Sequence, residues 1–229
     1  MMKYLLIFFI SAGLYASIRI PLVSKQLLLV SSSDFNSSIA SMQVYERDGI
    51  KWKRVFKPIA VNLGRTGLAW GDGLISFAHE QDEPIKKEGD GKSPAGLFSL
   101  DFFFGYERKD FNYPYLKVDE ETLCIDDVHS PSYNQVIEHA NPSQFKSFEY
   151  MKRDDKQYKL GISVGHNKSK KKMQGSCIFI HIQRDINSPT SGCTSLEENE
   201  LLKIMKWLES DKHPLLLQLP QIYLDKEFK

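Results

Sequence analysis

Apolar residues in this chain fall into short runs that alternate with polar residues, a pattern typical of β-strands. The runs cover residues 27–31, 41–47, 50–56, 58–63, 123–125, 158–165, 177–182 and 215–219. Asp48-Gly49 separates two of them, and this dipeptide is the strongest short hairpin signal in the sequence. The pattern therefore predicts a meander of strands in a mainly β domain with a few helices.

One stretch near the C-terminus has helical spacing instead. Its apolar positions follow the i, i+3, i+4, i+7 stripe of an amphipathic helix: Leu201, Ile204, Met205 and Leu208. Upstream, Thr194 and Ser195 are both good N-cap residues, and Glu197 and Glu198 each lie three residues later. Either frame makes a capping box, so the sequence predicts a helix that begins directly after Cys193.

A cysteine in that position has a chemical consequence. The positive end of a helix macrodipole favours the thiolate, which predicts a lowered pKa for Cys193. His181 lies near the end of the strand predicted at residues 177–182. Together the two residues predict a Cys–His nucleophile pair, in which the imidazole takes the thiol proton and later returns it to a leaving group.

Length and charge restrict the class of protein. The chain has 229 residues, 41% of them hydrophobic, with a formal net charge of +1. This is enough for one sizeable core, and we expect one domain. Near-neutral charge argues against nucleic acid as a partner, because no basic surface dominates.

The N-terminus resembles a secretory signal. Lys3 precedes an apolar run over residues 4–15, and Ala16 is a small residue suitable for cleavage. We expect residues 1–16 to be a signal peptide. The alternative is a short uncleaved anchor, which would then be the only contact with a membrane. Both place the remaining chain outside the cytoplasm, in the periplasm or cell envelope.

Two separated motifs resemble a known family. His181 followed by Thr190-Ser191-Gly192-Cys193 is similar to the active-site signature of YkuD-type L,D-transpeptidases. Residues 89–98, GDGKSPAGLF, resemble the [ST]-P-x-G-x-F segment that these domains carry upstream. The resemblance covers residues 26–229. It implies a single β-sandwich-like catalytic domain that acts on peptidoglycan stem peptides in cell-wall biogenesis and cell shape.

The resemblance also implies roles for individual residues. Cys193 is the nucleophile, His181 the general base, and the backbones of Gly192 and Ser191 supply oxyanion donors or the carbonyl that orients the imidazole. Pro94 and Gly96 would let the backbone approach a peptide substrate closely. The substrate-binding candidates are Ser93, Pro94, Gly96, Asp127, Tyr133 and Asn134, of which Tyr133 and Asn134 lie in a predicted loop or partly helical lid over residues 128–151. Neither a metal nor an organic cofactor is needed, and carbapenems are expected to acylate Cys193.

The sequence leaves the reaction open in one respect. The same thioester can be resolved by an amine, which makes L,D cross-links, or by water, which makes the protein an L,D-carboxypeptidase. A catalytically inactive domain that binds the cell wall is the third interpretation.

The chain has three cysteines, so at least one stays unpaired. Cys124 and Cys177 both lie in apolar strand contexts, and we predict that they form a disulfide that leaves Cys193 free. The alternative is two buried thiols. A zinc site built from Cys177, His181 and Cys193 lacks both a CxxC pair and an evident fourth ligand, so no metal is expected.

Overall fold

Strands dominate the structure. The computed structural model describes residues 20–227, and the predicted signal segment, residues 1–16, lies outside them. The strands within the described residues are β1 (Gln26–Ser32), β2 (Ile39–Asp48), β3 (Lys51–Arg54), β4 (Ile59–Asn62), β5 (Leu68–Trp70), β6 (Ser93–Gly105), β7 (Tyr115–Lys117), β8 (Leu123–Ile125), β9 (Gln135–Ile137), β10 (Glu149–Tyr150), β11 (Leu160–Val164), β12 (Phe179–Ile182), β13 (Thr194–Leu196) and β14 (Leu215–Pro220). The helices are α1 (Glu198–Trp207) and α2 (Gln221–Glu227). The predicted mainly β class with few helices is confirmed.

The large sheet closes on itself. Its strands follow the order β1, β14, β6, β11, β12, β13, β4, β2, and β2 pairs back to β1. Most pairs are antiparallel, whereas β1 with β14 and β12 with β13 run parallel. Apolar side chains from this ring form the main core, and Leu201, Ile204 and Met205 of α1 are buried in the same cluster. The amphipathic stripe predicted for α1 is therefore confirmed.

A small second sheet lies beside the large one. It consists of β10, β8 and β9. The segment predicted as a loop or partly helical lid, residues 128–151, supplies β9, β10 and a 3₁₀ turn over Pro142–Gln144. Cross-strand pairing with β8 gives this segment more strand character than its polar sequence suggested. No helix among residues 20–227 has the length and apolar character that crossing a bilayer requires.

The start of α1 differs from the prediction. Its N-cap is Glu197, whose carboxylate accepts the backbone N–H groups of Asn199 and Glu200 at 2.9 and 3.1 Å. Thr194 and Ser195 belong to β13 instead. Their backbones pair with β12 and β4 in the closed sheet, and this long-range pairing outweighs the local capping preference. Four residues therefore separate Cys193 from the helix.

Candidate active site

Neighbouring strands place Cys193 and His181 on one cavity. In the parallel pair of β12 and β13, His181 lies opposite Ser195, and Cys193 comes two residues before Ser195. Residues two apart in a strand share a face, so Cys193 lies beside Phe179 on the face that carries His181. Both side chains line a cavity of about 500 Å³. The structure therefore brings the predicted pair together.

The Cys193 sulfur is buried and held by backbone groups. The N–H of Phe179 donates to Sγ over 3.3 Å, and the thiol lies 3.5 Å from the carbonyl oxygen of Cys177. Burial, together with the nearby Glu149 carboxylate, raises the pKa of the thiol to about 12. Cys193 is accordingly a thiol, not a preformed thiolate.

This corrects the prediction that a helix N-terminus lowers the pKa of Cys193. The residue enters strand β13, and α1 begins only at Glu198. Macrodipole effects fall off within the first turn of a helix, so they do not offset the loss of solvent around the sulfur.

His181 is a neutral imidazole. Its ring is buried, and burial lowers its pKa to about 4. Nδ1 lies 2.8 Å from the carbonyl oxygen of Ile182, and since a carbonyl only accepts, Nδ1 carries the proton. Nε2 is therefore the basic nitrogen. The carbonyl that orients the ring belongs to Ile182 and not to Ser191, which corrects the predicted partner while keeping its chemical type.

The predicted oxyanion donor, the N–H of Gly192, is hydrogen-bonded within the loop before Cys193. The N–H of Gly192 donates to Thr190 Oγ1 over 3.1 Å, and the Thr190 hydroxyl donates to the carbonyl oxygen of Cys193 over 2.6 Å. Gly192 and Ser191 both line the cavity, with Ser191 exposed at its mouth. A Cβ at Gly192 would lie 3.1 Å from the carbonyl oxygen of Lys92, so a side chain there would crowd the loop.

Three of the substrate-binding candidates lie behind the cysteine and not on the cavity. Ser93 is fully buried; its hydroxyl donates to the carbonyl oxygen of Cys193 over 2.9 Å and accepts the N–H of Gly64 over 2.9 Å. The Pro94 carbonyl accepts from Gln218 over 2.8 Å, and Gly96 packs against the ring of Phe98. The SPAGLF segment is part of β6 and does not line the cavity. Its Ser93 hydroxyl holds the backbone of Cys193 from inside the fold.

The remaining candidates also have structural partners. Asn134 accepts the N–H of Cys177 over 3.0 Å and donates to the carbonyl oxygens of His166 and Asn167. The hydroxyl of buried Tyr133 donates to Glu88. Neither residue lines the cavity that holds Cys193.

Asp127 stabilises a turn. It accepts the backbone N–H groups of His129 and Lys146 at 2.9 and 3.1 Å, and these bonds lower the pKa of its carboxyl group. Its neighbour Asp126 lines the cavity instead. Adjacent residues on an extended segment point to opposite sides, which explains the division.

Cys124 and Cys177 are bonded to each other, with their Cα atoms 6.0 Å apart. The bridge joins β8 of the small sheet to the segment that enters β12. Cys177 therefore has no thiolate to offer a zinc ion, and Cys193 is the free cysteine. Because the Cys177 carbonyl contacts Sγ of Cys193, the bridge also fixes one side of this thiol.

Several cavity residues were missed by sequence reasoning. Tyr158 packs edge-on against the His181 ring, with centroids 5.2 Å apart, and its hydroxyl donates to Glu149 over 2.7 Å. The Arg153 guanidinium lies 5.0 Å from the centre of the Tyr158 ring and is bound to Asp155. Tyr158 begins a predicted strand and Glu149 lies in the predicted lid, but nothing local indicated that they meet.

A buried lysine also lines the cavity. Lys86 is only 5% exposed, and its ammonium group binds Asp90 over 2.5 Å and the carbonyl oxygen of Lys87 over 2.8 Å. Arg65 and Arg184 line the same cavity and are exposed. The cavity thus combines a paired cation in its wall with two exposed arginines.

No protein-family model and no curated protein sequence matches the chain significantly. Among solved structures, the helical cell shape determining protein Pgp2 from Campylobacter jejuni is similar over 85% of this chain and 47% of that protein, with 18% identity and a TM-score of 0.45. A point mutant of the same protein gives the same identity and TM-score and is covered over 46%. The chain spans about half the length of these two structures. A similarity of this size assigns no activity.

Proposed function

We propose that this protein is an exported cysteine acyltransferase that forms L,D cross-links between peptidoglycan stem peptides. The observation that carries the proposal is the placement of His181 in β12 and of Cys193 directly before the neighbouring parallel strand β13, where both line one cavity. The resemblance of His181 and the TSGC loop to the L,D-transpeptidase signature supplies the substrate class. An exported enzyme would meet that substrate in the periplasm or cell envelope.

The resting pair is a neutral thiol and a neutral imidazole, which defines the first step. Cys193 Sγ attacks the carbonyl carbon between an L-centre and a terminal D-amino acid while its proton moves to Nε2 of His181. The imidazolium then returns this proton to the leaving amine, and a thioester remains on Cys193. An amine from a second stem peptide attacks the thioester while His181 takes its proton. The imidazolium then returns this proton to the departing Cys193 sulfur, which restores the thiol and the neutral imidazole.

The imidazole is suited to this exchange by its fixed tautomer. The hydrogen bond from Nδ1 to the carbonyl oxygen of Ile182 keeps Nε2 unprotonated and stabilises the imidazolium that forms transiently. The Gly192 N–H would have to leave Thr190 Oγ1 to stabilise the tetrahedral oxyanion. Such a donor is typically worth about 2.7 to 4 kcal/mol.

Incubation with a disaccharide-tetrapeptide, followed by mass spectrometry of the products, tests the proposal. Cross-linked dimers are expected from the native protein and none from Cys193→Ala. Tripeptide without dimers would replace transpeptidation by L,D-carboxypeptidase activity. Unchanged substrate would favour a wall-binding domain without catalysis. A carbapenem adduct on the native protein, absent from Cys193→Ala, would test the nucleophile separately.

A further inference from the structure

Asn134 connects the small sheet to the backbone beside the Cys193 sulfur. Its Oδ1 accepts the N–H of Cys177 over 3.0 Å, and its Nδ2 donates to the carbonyl oxygens of His166 and Asn167 over 2.9 and 3.0 Å. Both hydrogens of the amide are thus used, and a flipped amide would place oxygen against oxygen and N–H against N–H. The orientation of this side chain is therefore fixed by its partners.

Cys177 has an unusual backbone conformation. Its φ is 55°, in the left-handed region that residues with a side chain other than that of asparagine or aspartate rarely adopt. Such a conformation persists only where the surroundings determine it, and it is often found at functional sites. The contacts that hold Cys177 therefore show what its conformation is for.

The small sheet holds Cys177 at two points. Its side chain is bonded to Cys124 of β8, and its N–H is bonded to the side chain of Asn134. Asn134 lies directly before β9, and its own N–H donates to the carbonyl oxygen of Ile125 in β8 over 2.7 Å. Both contacts thus lead to the same strand of the small sheet.

The carbonyl group of Cys177 faces the thiol of Cys193. The thiol donates to this oxygen over 3.5 Å. Because a carbonyl oxygen only accepts, the contact stabilises the protonated sulfur and not the thiolate. The N–H of Phe179, 3.3 Å from the sulfur, acts in the opposite sense. The direction of the Cys177 carbonyl therefore affects how readily Cys193 ionises.

We propose that Asn134 is a positioning residue, which holds Cys177 in its left-handed conformation so that the Cys177 carbonyl keeps the Cys193 thiol protonated in the resting protein. Only a thiolate is alkylated or exchanges with a disulfide. The contact thus keeps Cys193 unreactive beside the Cys124–Cys177 bridge until His181 takes its proton. The inference rests on the proposed function, because it concerns the residue assigned there as the nucleophile.

The S–H stretching band in the infrared reports this contact directly, because a hydrogen bond donated by a thiol lowers the frequency of the band. The chain has three cysteines and two of them are bridged, so the band belongs to Cys193 and should be lost in Cys193→Ala. In the native protein we expect the lower frequency of a thiol that donates to a carbonyl. The frequency of a thiol without an acceptor would overturn the inference, whether or not any variant of Asn134 folds.

Asn134→Gly removes the side chain and still permits the left-handed backbone of this residue, whose φ is 59°. We expect Cys177 to relax and the S–H band to move to higher frequency. Alkylation of Cys193 by iodoacetamide at pH 8, per folded molecule, should become about fivefold to tenfold faster, the usual worth of one hydrogen bond. Faster alkylation with an unmoved band would mean that the variant only opens the cavity, which would contradict the proposed role.

Asn167→Gly is the matched control. Asn167 also has a left-handed backbone, with a φ of 50°, and its side chain also makes three hydrogen bonds to backbone groups. Its partners are the N–H and carbonyl of Lys171 and the carbonyl of Gly175, and none of these bonds involves Cys177. This variant should keep the native band and alkylation rate. Equal shifts in both variants would attribute the effect to general loosening of residues 167–177 and overturn the role of Asn134.

Neither measurement needs a peptide substrate or turnover. A band that moves only in Asn134→Gly, in a protein that makes no cross-links, would remove the proposed reaction and leave the control of the thiol in place. Cross-linking by a protein whose band does not move in Asn134→Gly would remove this inference alone.

Discussion

The backbone N–H of Phe179 donates a hydrogen bond to Cys193 Sγ over 3.3 Å. Phe179 begins β12, the strand that also carries His181. One strand thus supplies a donor to the sulfur and, two residues later, the imidazole that we propose as its base. Such a donor favours the thiolate, but burial of the sulfur has the larger effect, and the pKa of the thiol rises to about 12.

The native protein should therefore be slow to alkylate at neutral pH. We expect the rate with iodoacetamide to keep rising up to pH 10, since only the thiolate reacts. Quenched time points analysed by intact mass would measure the rate. Cys124 and Cys177 are bridged, so the label reports on Cys193. A rate that levels off near pH 7 would reveal a preformed thiolate–imidazolium pair.

Replacing His181 by Gln should slow acylation of Cys193 by about a hundredfold to ten-thousandfold, the usual contribution of a general base. His166→Gln is a matched control. His166 is also buried, burial also lowers its pKa to about 4, and it does not line the Cys193 cavity. Rates per folded molecule, from carbapenem adduct formation, should fall only in the His181 variant. Equal rates in both variants would place the base elsewhere.

Sequence patterns predicted the strands and the helix whose signals lie within short stretches of the chain. The alternating runs of β1, β2, β4, β11, β12 and β14 and the apolar stripe of α1 agree with the structure. The two sequence motifs, His181 with the TSGC loop and the SPAGLF segment, also indicated Cys193 and His181 as candidate site residues. Both residues line one cavity. These features depend on periodicity or on short spacings that are visible in the sequence.

The errors concern residues whose environment is set by long-range packing. Thr194 and Ser195 have the side chains of helix caps, yet sheet pairing places them in β13. Tyr158 and Glu149 are distant from Cys193 in the sequence and line the same cavity only in the folded chain. The pKa of Cys193 could not be predicted because burial is a property of the folded chain.

The two buried histidines should make stability fall at mildly acidic pH. In the folded protein burial lowers the pKa of both His181 and His166 from 6.5 to about 4. Between those values the unfolded chain binds more protons, so the free energy of unfolding decreases as pH falls from about 6.5 to about 4. Each histidine contributes a slope of up to roughly 1.4 kcal/mol per pH unit.

Urea unfolding at several pH values would measure that slope. His166→Gln should reduce it, because one of the two titrating groups has been removed. An unchanged slope in this variant would mean that His166 is already protonated in the folded protein or stays neutral in the unfolded one.

Removal of the Cys124–Cys177 bridge should lower stability. The bond joins residues separated by 53 positions, and by the chain-entropy model a loop of that length contributes about 4 kcal/mol. Urea unfolding of the Cys124→Ala, Cys177→Ala double variant would measure the loss. Cys193→Ala, which removes the free thiol, serves as the comparison and should lose less. Equal losses would argue that the bridge adds nothing beyond the packing of its two side chains.

Gly161 allows the aromatic cluster to pack against the strand that carries His181. It lies opposite His181 in the register of β11 with β12 and opposite Phe104 in that of β11 with β6. A Cβ at this position would lie 2.2 Å from the Phe104 ring. Phe104 is fully buried and contacts Phe179 and Tyr158 at centroid distances of 5.1 and 5.8 Å, and Tyr158 lines the Cys193 cavity, so the Phe104 ring cannot move without disturbing this packing.

We therefore expect Gly161→Ala to cost about 1 to 3 kcal/mol, the usual penalty for overpacking. The cost should be partly relieved by Phe104→Leu, which removes the ring that the new methyl group strikes. Urea unfolding of both single variants and the double variant would form a double-mutant cycle. Strictly additive losses would show that the strand can shift and that the contact with Phe104 does not limit this position.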